Sequence, residues 1–173
     1  MDHKDDTVEF IEDPEDLAKE IFMPMETWGK FSGYTTDPNI NPHYIRPAML
    51  QQRLQKIMDE YVGGVGTWYM TSKYMLEEGF YYLDLLKEDS HHMCAENLHE
   101  LLRAWENFHR ILAGEAHARH IHFREETRYP GYYYRGDHLA IDDENWKCFV
   151  NSTYDKESGE WDIFKREYHQ LVP

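Results

Sequence analysis

Four stretches of the chain carry apolar residues at helical spacing. The first begins at Asp13-Pro14-Glu15-Asp16, where a capping aspartate, a proline at the first helical position and first-turn acids are typical of a helix start. We predict a short helix that ends near Phe22, before Pro24, because proline disrupts a helix interior. The segment from Met23 to Tyr44 is then expected to be a loop that packs its aromatic residues onto a helical body.

Three longer helices are predicted after this loop. Pro47 opens the second, whose apolar positions recur three and four residues apart until Gly63-Gly64 ends it. The third begins at Thr71 or Ser72 and continues through Leu86. The fourth, the longest, starts at a possible capping box at Asn97-Leu98-His99-Glu100 and should end near Arg124. Its predicted apolar stripe consists of Leu98, Leu101, Leu102, Trp105, Ile111, Leu112 and Ala116.

The last part of the chain has a different pattern. Tyr129-Pro130-Gly131 prevents the helical pattern from continuing after the fourth helix and opens an extended, tyrosine-rich segment through Tyr134. Asp142-Asp143-Glu144-Asn145 predicts a turn or a single helical turn. The stretches 146–154 and 161–168 are rich in aromatic and β-branched residues and are joined by a short polar turn, which predicts a β-hairpin.

The expected fold class is therefore mainly α: a bundle of about four helices with an extended tyrosine-rich segment and a C-terminal β-hairpin. A length of 173 residues fits one domain. We expect residues 1–12 to be an acidic lead-in and residues 13–173 to be the domain. Its helical part covers about 13–124, and the extended segment and hairpin cover about 125–173.

Charge and composition exclude several kinds of partner. The formal net charge of -15 argues against nucleic acid, because binding phosphates requires clustered lysine and arginine. No apolar run approaches the roughly 18 to 20 residues that span a bilayer, and the acidic N-terminus lacks the features of a signal peptide. The two cysteines, Cys94 and Cys148, have no metal-type spacing and are interpreted as reduced thiols. These features together predict a cytoplasmic protein.

Between Arg103 and Arg135 the chain contains six arginines and no lysine. The rigid fork of arginine suits buried or interfacial pairing with carboxylates. Two interpretations remain open for this cluster, namely salt bridges within the domain and a docking face for another domain. The sequence does not decide whether Arg128, Arg135 and the tyrosines face this bundle or a partner.

Eleven histidines raise the possibility of a metal site. Glu96-Asn97-Leu98-His99 and Glu106-Asn107-Phe108-His109 both match the E-x-x-H pattern of di-iron bundles. They lie ten residues apart in one helix, roughly 15 Å, whereas the two metals of such a site are about 3.5 to 4 Å apart. A second cluster, at His117, His120 and His122, has no identifiable ligand on another helix. We therefore assign no metal ligand.

Catalytic and nucleotide-binding motifs are also missing from the sequence. There is no G-x-S-x-G and no P-loop, and Gly63-Gly64-Val65-Gly66 is too compact for G-x-G-x-x-G and follows a helix rather than a strand. No catalytic and no cofactor-binding residue is assigned on these grounds.

Several long motifs resemble the C-terminus of the adenylylsulfate reductase alpha subunit. They are DPNINP, RLQKIMDEYVGG, LHELLRAWE, HRILAGEAHARH, REETRYPGYYYRGD and DDENWKCF. More distantly, Glu126-Thr127-Arg128, Arg135-x-Asp137 and the DDENW segment are similar to the C-terminal domain of succinate dehydrogenase and fumarate reductase flavoproteins. Those relatives carry Gly-Ala-His where this chain has Tyr-Pro-Gly, a departure that favours the sulfur branch.

The resemblance implies a helical domain packed against an FAD-binding domain of the same subunit. The complete enzyme of this family reversibly reduces adenylylsulfate to sulfite and AMP, and its electrons come from an iron-sulfur beta subunit with two [4Fe–4S] clusters. The family's flavin and substrate residues lie in domains outside this chain, so the isolated chain is expected to be inactive. Two alternatives remain, a free-standing helical interaction module and a metal-binding helical bundle.

Overall fold

The computed structural model of the chain describes residues 13–129 and 131–169. The predicted acidic lead-in, residues 1–12, and Pro130 lie outside these ranges. The described helices are α1 (Pro14–Phe31), α2 (Pro47–Tyr61), α3 (Lys73–Ser90), α4 (Leu98–Phe123) and the single-turn α5 (Asp143–Trp146), with 3-10 turns at Ser32–Tyr34 and Val65–Thr67. The described strands are β1 (Met70–Thr71), β2 (Tyr134–Arg135), β3 (Cys148–Tyr154) and β4 (Trp161–Glu167). The mainly α fold with a C-terminal hairpin is confirmed.

The first helix extends beyond its predicted end. Asp13 caps α1 as expected, since its side chain accepts from the Glu15 N–H at 2.8 Å. The prediction that α1 stops before Pro24 is wrong, because the helix continues through this buried proline to Phe31. The Pro24 carbonyl accepts from the Ala95 N–H at 2.8 Å, and the Ile21 carbonyl accepts from the Trp105 indole at 3.0 Å. Packing against neighbouring segments therefore outweighs the local preference of one proline.

The other helix boundaries follow the sequence signals. The Ser72 side chain caps α3 by accepting from the Met75 N–H at 3.4 Å. Asn97 caps α4 by accepting from the N–H groups of His99 and Glu100 at 3.0 and 3.1 Å. In a standard capping box the glutamate side chain accepts from the N–H of the capping residue. Here the Glu100 carboxylate accepts instead from the N–H of Glu96, the residue before the cap, at 3.0 Å. The predicted single turn after the tyrosines forms as α5.

Helices α2, α3 and α4 pack around one apolar core. Its largest fully buried members include Leu50, Leu76 and Leu83. The predicted stripe of α4 is partly wrong, because Leu98 and Leu102 are 67% and 58% exposed. The face of α4 that is buried consists of Leu101, Ala104, Asn107, Ile111, Glu115, Ala118 and Ile121.

Two polar residues lie on the buried face of α4, and both have partners. Asn107 donates to the Pro47 carbonyl at 2.7 Å. Glu115, 1% exposed, forms ion pairs with Lys87 of α3 at 2.6 Å and with Arg119 at 2.7 Å. Paired in this way, polar side chains are tolerated in the interior. A search for apolar residues alone misses them and adds the exposed Leu98 and Leu102 to the stripe.

The hairpin rests against the C-terminal half of α4. Strands β3 and β4 are antiparallel, with Tyr154 opposite Trp161 next to the turn. His120 of α4 and Ser152 of β3 are joined by a hydrogen bond of 2.9 Å between Nε2 and Oγ. A second pairing was not predicted: β1 and β2 run parallel, with Met70 opposite Tyr134. No helix within residues 13–129 and 131–169 is long and apolar enough to cross a membrane.

Candidate functional site

Arg135 closes the end of the longest helix. It is 1% exposed, and its Nη1 donates to the carbonyl oxygens of Ile121, His122 and Arg124 at 2.6, 3.1 and 2.9 Å. The last carbonyls of a helix lack helical partners, and a buried helix end must satisfy them in another way. One guanidinium performs this role for α4, and its positive charge also suits the negative end of the helix dipole.

The remaining donors of Arg135 bind Asp137. Nε and Nη2 reach the two carboxylate oxygens at 2.9 and 2.8 Å, a bidentate pair. Asp137 also accepts from the Lys73 N–H at 2.9 Å, at the first residue of α3. The hydrogen bonds from Arg135, supported by that of Lys73, hold the pKa of the Asp137 carboxyl well below its usual range. The pair therefore connects the end of α4 to the start of α3.

A buried carboxylate, Glu126, lies on the segment between α4 and β2. It is fully buried and accepts from Arg124, from Arg128 at 2.6 and 3.0 Å, and from the Asp142 N–H at 2.9 Å. Burial by itself raises the pKa of Glu126, but the hydrogen bonds from Arg128, Asp142 and Arg124 outweigh it, so the pKa is lowered. Arg128 additionally donates to Asp143 of α5 at 2.9 Å.

Arg124 carries this network into the hairpin. Its Nη1 donates to the Trp146 carbonyl and its Nη2 to the Cys148 carbonyl, both at 2.9 Å. The guanidinium also lies over the Trp146 ring, 5.6 Å from its centroid. We call the set of Arg124, Glu126, Arg128, Arg135 and Asp137 the arginine junction. It joins α3, α4, α5 and β3 through charged hydrogen bonds.

The junction answers the question that the sequence left open about Arg128 and Arg135. Both bind carboxylates of this chain, so salt bridging within the domain is the interpretation that the structure supports. The roles of Glu126 and Asp137 were not predicted, although a signal was present. In Glu126-x-Arg128 and in Arg135-x-Asp137 opposite charges are spaced two residues apart, which in an extended segment places them on the same side.

The tyrosines do not share one environment. Tyr133 is buried at 9% exposure, whereas Tyr129 and Tyr132 are 58% and 81% exposed. Tyr133 also lines a groove of about 520 Å³ between the end of α4 and the hairpin, together with Arg124, Arg128 and Trp146. The tyrosine segment therefore packs one ring into the domain and presents two to its surface.

The histidine and E-x-x-H clusters are not gathered into a site. The carboxylates of Glu96 and Glu106 pair with Arg46 and Arg110 at 3.4 and 3.1 Å. Partial burial, with Arg124 as the neighbouring positive group, lowers the pKa of His120, which favours its neutral form. His117 is exposed. Within the described ranges, no group of three or more histidine, cysteine, aspartate and glutamate side chains is placed to hold a metal ion.

Known proteins resemble the chain in both sequence and structure. No protein-family model matches it. Over all 173 residues it is 51% identical to the adenylylsulfate reductase subunit alpha of Megalodesulfovibrio gigas. The structure of adenylylsulfate reductase from Archaeoglobus fulgidus superposes on 92% of the chain with a TM-score of 0.89 and 48% identity. The chain matches the C-terminal part of an adenylylsulfate reductase alpha subunit.

The match covers a limited part of the adenylylsulfate reductase chains. This chain spans about a quarter of their length, 26% of the Megalodesulfovibrio gigas subunit and 25% of the Archaeoglobus fulgidus chain. The Sdh1 complex of Mycobacterium smegmatis also superposes on 92% of the chain, with a TM-score of 0.62 and 20% identity. That likeness shows a shared fold.

Neither cofactor associated with the predicted enzyme fits this chain alone. A dinucleotide such as FAD is commonly held by a βαβ unit with a glycine-rich turn. The strands in the described part of the chain form only a short parallel pair and a hairpin. A [4Fe–4S] cluster is held by four cysteines, and the whole sequence contains two.

Proposed function

We propose that this chain is the C-terminal helical domain of an adenylylsulfate-reductase-type flavoprotein subunit, spanning residues 13–173, and that its role is structural and docking. The observation that carries the proposal is the 51% identity over the whole chain to such a subunit. In this proposal the parent subunit binds FAD in a separate domain and reversibly reduces adenylylsulfate to sulfite and AMP. An iron-sulfur beta subunit with two [4Fe–4S] clusters supplies the electrons, and the complex works in the cytoplasm.

The charge distribution supports a structural role for the arginine junction. Adenylylsulfate is an anion, and a site for it requires positive groups that are free to bind it. In the junction, Arg124, Arg128 and Arg135 are engaged with carboxylates and carbonyls of this chain. The chain as a whole has a formal net charge of -15, which disfavours an anionic substrate. In this proposal the substrate site lies outside this domain.

The first test uses the isolated chain. Purified protein should be colourless, contain no FAD after denaturation, and show no AMP-dependent oxidation of sulfite with an artificial electron acceptor. An isolated chain that holds stoichiometric FAD and oxidises sulfite would falsify the proposal.

The second test uses a chimera, in which this chain replaces the matching C-terminal part of the Megalodesulfovibrio gigas alpha subunit. Co-expressed with its beta subunit, the chimera should retain FAD and oxidise sulfite in the presence of AMP. The unaltered subunit is the positive control, and the subunit truncated before the matching part is the negative control. A chimera that folds yet behaves like the truncated subunit counts against the proposal.

One observation favours a second candidate, a free-standing helical interaction module. Large aromatic side chains are exposed on the described surface, among them Trp68 at 85% and Tyr132 at 81%. If the chain is such a module, the chimera should fail to retain FAD although the isolated chain is folded. The metal-binding bundle receives no support from the side-chain geometry described above.

A further inference from the structure

The loop between α2 and β1 is tightly built around one carboxylate. The side-chain carboxylate of Asp59 accepts from the Gly66 N–H at 2.9 Å, and the backbone carbonyl of Asp59 accepts from the Gly64 N–H at 3.1 Å. A Cβ atom at Gly64 or Gly66 would collide with Asp59. The Thr67 hydroxyl donates a hydrogen bond to the Gly64 carbonyl at 3.1 Å. This loop therefore has a defined shape. It requires glycine at position 64, where a Cβ would meet the Asp59 backbone, whereas at Gly66 a Cβ would meet the carboxylate end of the Asp59 side chain.

The loop ends in two strained residues. Trp68 and Tyr69 have φ angles of 55° and 62°, and they are the non-glycine residues with positive φ in the described part of the chain. This left-handed region is unfavourable for L-residues with large side chains. The backbone is held there because the Tyr69 N–H donates to the Gly64 carbonyl at 2.8 Å and its carbonyl accepts from the Tyr134 N–H at 2.6 Å.

Trp68 lies on the surface rather than in the core. Its side chain is 85% exposed, so its own burial does not stabilise this domain. Strained backbone of this kind tends to persist where a function depends on it. An indole held outward by a rigid loop is suited to insertion into another protein surface, because tryptophan is enriched among the residues that dominate binding energy.

The tyrosine segment adjoins this loop. Met70 of β1 is paired with Tyr134 of β2, so the two segments share one side of the domain. Tyr132 is 81% exposed, while the next residue in the segment, Tyr133, is buried. We call Val65, Trp68, Tyr69, Met70 and Tyr132 the aromatic edge; all five are at least 40% exposed. Contiguous exposed apolar surface of this kind marks interaction sites.

We propose that the aromatic edge is the surface against which the remainder of the alpha subunit packs, with Trp68 as the anchor. This inference rests on the proposed function. The matched domain is about a quarter of a single longer chain in both adenylylsulfate reductases, so the occupant is available in the same chain. Domains within one chain commonly bury roughly 600 to 1,500 Å² between them.

Charge distinguishes this occupant from a second copy of the chain. The aromatic edge itself is neutral, because residues 63–72 and 129–134 contain no charged side chain. Two copies of a chain with a net charge of -15 repel each other when their neutral faces approach. A covalently linked domain does not face the same obstacle, since linkage raises its effective concentration.

The test is side-chain oxidation by hydroxyl radicals, read by mass spectrometry, in the isolated chain and in the chimera described above. Trp68 and Tyr132 should be readily oxidised in the isolated chain and lose most of that reactivity in the chimera. Tyr34, 64% exposed in the 3-10 turn after α1, is the matched control and should react equally in both.

A pair of variants separates docking from folding. Trp68→Ala should leave the thermal midpoint of the isolated chain unchanged, yet make this domain of the chimera more sensitive to limited proteolysis. Tyr34→Ala should change neither measurement. If Trp68→Ala unfolds the isolated chain, the residue has a structural role and the docking inference is wrong.

The remaining outcomes separate the two proposals. A chimera that is folded, contains FAD and leaves Trp68 as reactive as in the isolated chain overturns the aromatic edge while the proposed function stands. A folded chimera without FAD in which Trp68 is protected supports the edge and counts against the proposed function. A chimera that does not fold contradicts the proposed function and also overturns the docking inference, which rests on it. A Trp68-dependent dimer of the isolated chain assigns the edge to a second copy and also overturns it.

Discussion

Arg135 Nη1 donates to the Ile121 carbonyl at a distance of 2.6 Å, which joins a residue of β2 to the last turn of α4. Both residues are buried, at 1% and 3% exposure. The carbonyl has no helical partner and no access to water, so the contact removes an unsatisfied acceptor that the fold would otherwise contain. Arg135 is therefore the residue on which the connection between the helices and the tyrosine segment most depends.

Replacing Arg135 should therefore destabilise the domain strongly. Arg135→Met leaves three carbonyls without their side-chain donor and Asp137 with the Lys73 N–H, and each buried acceptor left unsatisfied costs about 1–3 kcal/mol of unfolding free energy. Arg135→Lys should fall between this variant and the wild type, because lysine keeps the charge and loses the bidentate fork. Urea denaturation measures both. Arg103→Met, an exposed position on α4, is the control and should stay within about 0.5 kcal/mol of wild type.

Acid should destabilise the chain through its ion-paired carboxylates. The pKa values of Glu115 and Glu126 are lowered, because ion pairing with lysine or arginine outweighs the effect of burial. The pKa of Asp137 is lowered by Arg135. A carboxyl whose pKa is lower in the folded state contributes stability that is present above its ordinary value of about 4 and is lost as the pH falls toward the folded value.

We therefore expect the free energy of unfolding to decrease slightly below about pH 6.5, as His120 becomes protonated, and to decrease further below about pH 5 as the carboxylates become protonated. Urea denaturation at a series of pH values measures this dependence. In Glu126→Gln the stability at neutral pH should be lower and the decline in acid shallower, since one of the titrating groups is gone. A wild-type stability that rises as the pH falls from about 5 to 3 contradicts the assignment.

Relieving the strain at Trp68 should stabilise the isolated domain. Glycine adopts positive φ without the penalty that a Cβ atom brings, so Trp68→Gly should be more stable than Trp68→Ala by about 1 kcal/mol. The comparison isolates the backbone because both variants remove the same exposed ring. Thermal and urea unfolding of the two proteins provide the measurement. Equal stability of the two variants would show that the loop is not strained at this position.

The two cysteines should differ in reactivity. Cys94 is fully buried, and burial raises the pKa of its thiol to about 11. Its reactive thiolate form is then on the order of one in ten thousand at pH 7 and one in a thousand at pH 8. Cys148 is partly accessible and should react first with a thiol reagent. In Cys148→Ser the native protein should show almost no rapid labelling, and urea should restore labelling at Cys94.

The sequence was sufficient where structure follows from local chemistry. Caps and breakers located the starts of α1, α3 and α4, and the turn composition located the hairpin, because these signals act over a few residues. The motifs around Arg124–Trp146 were also distinctive enough to indicate the family. The extension of α1 through Pro24 was beyond reach, because contacts from Ala95 and Trp105 decide it.

The same division applies to the candidate site. The sequence by itself determined that arginines and tyrosines are concentrated after α4 and that no self-sufficient catalytic motif is present. Only the tertiary structure decided that Arg128 and Arg135 serve this domain, that Tyr133 points inward, and that Trp68 lies on the same side of the domain as the tyrosine segment. Pairing partners far apart along the chain, such as Met70 and Tyr134, come together through packing. The energy of a buried charge depends on those neighbours, whereas the signals for helices and turns are local.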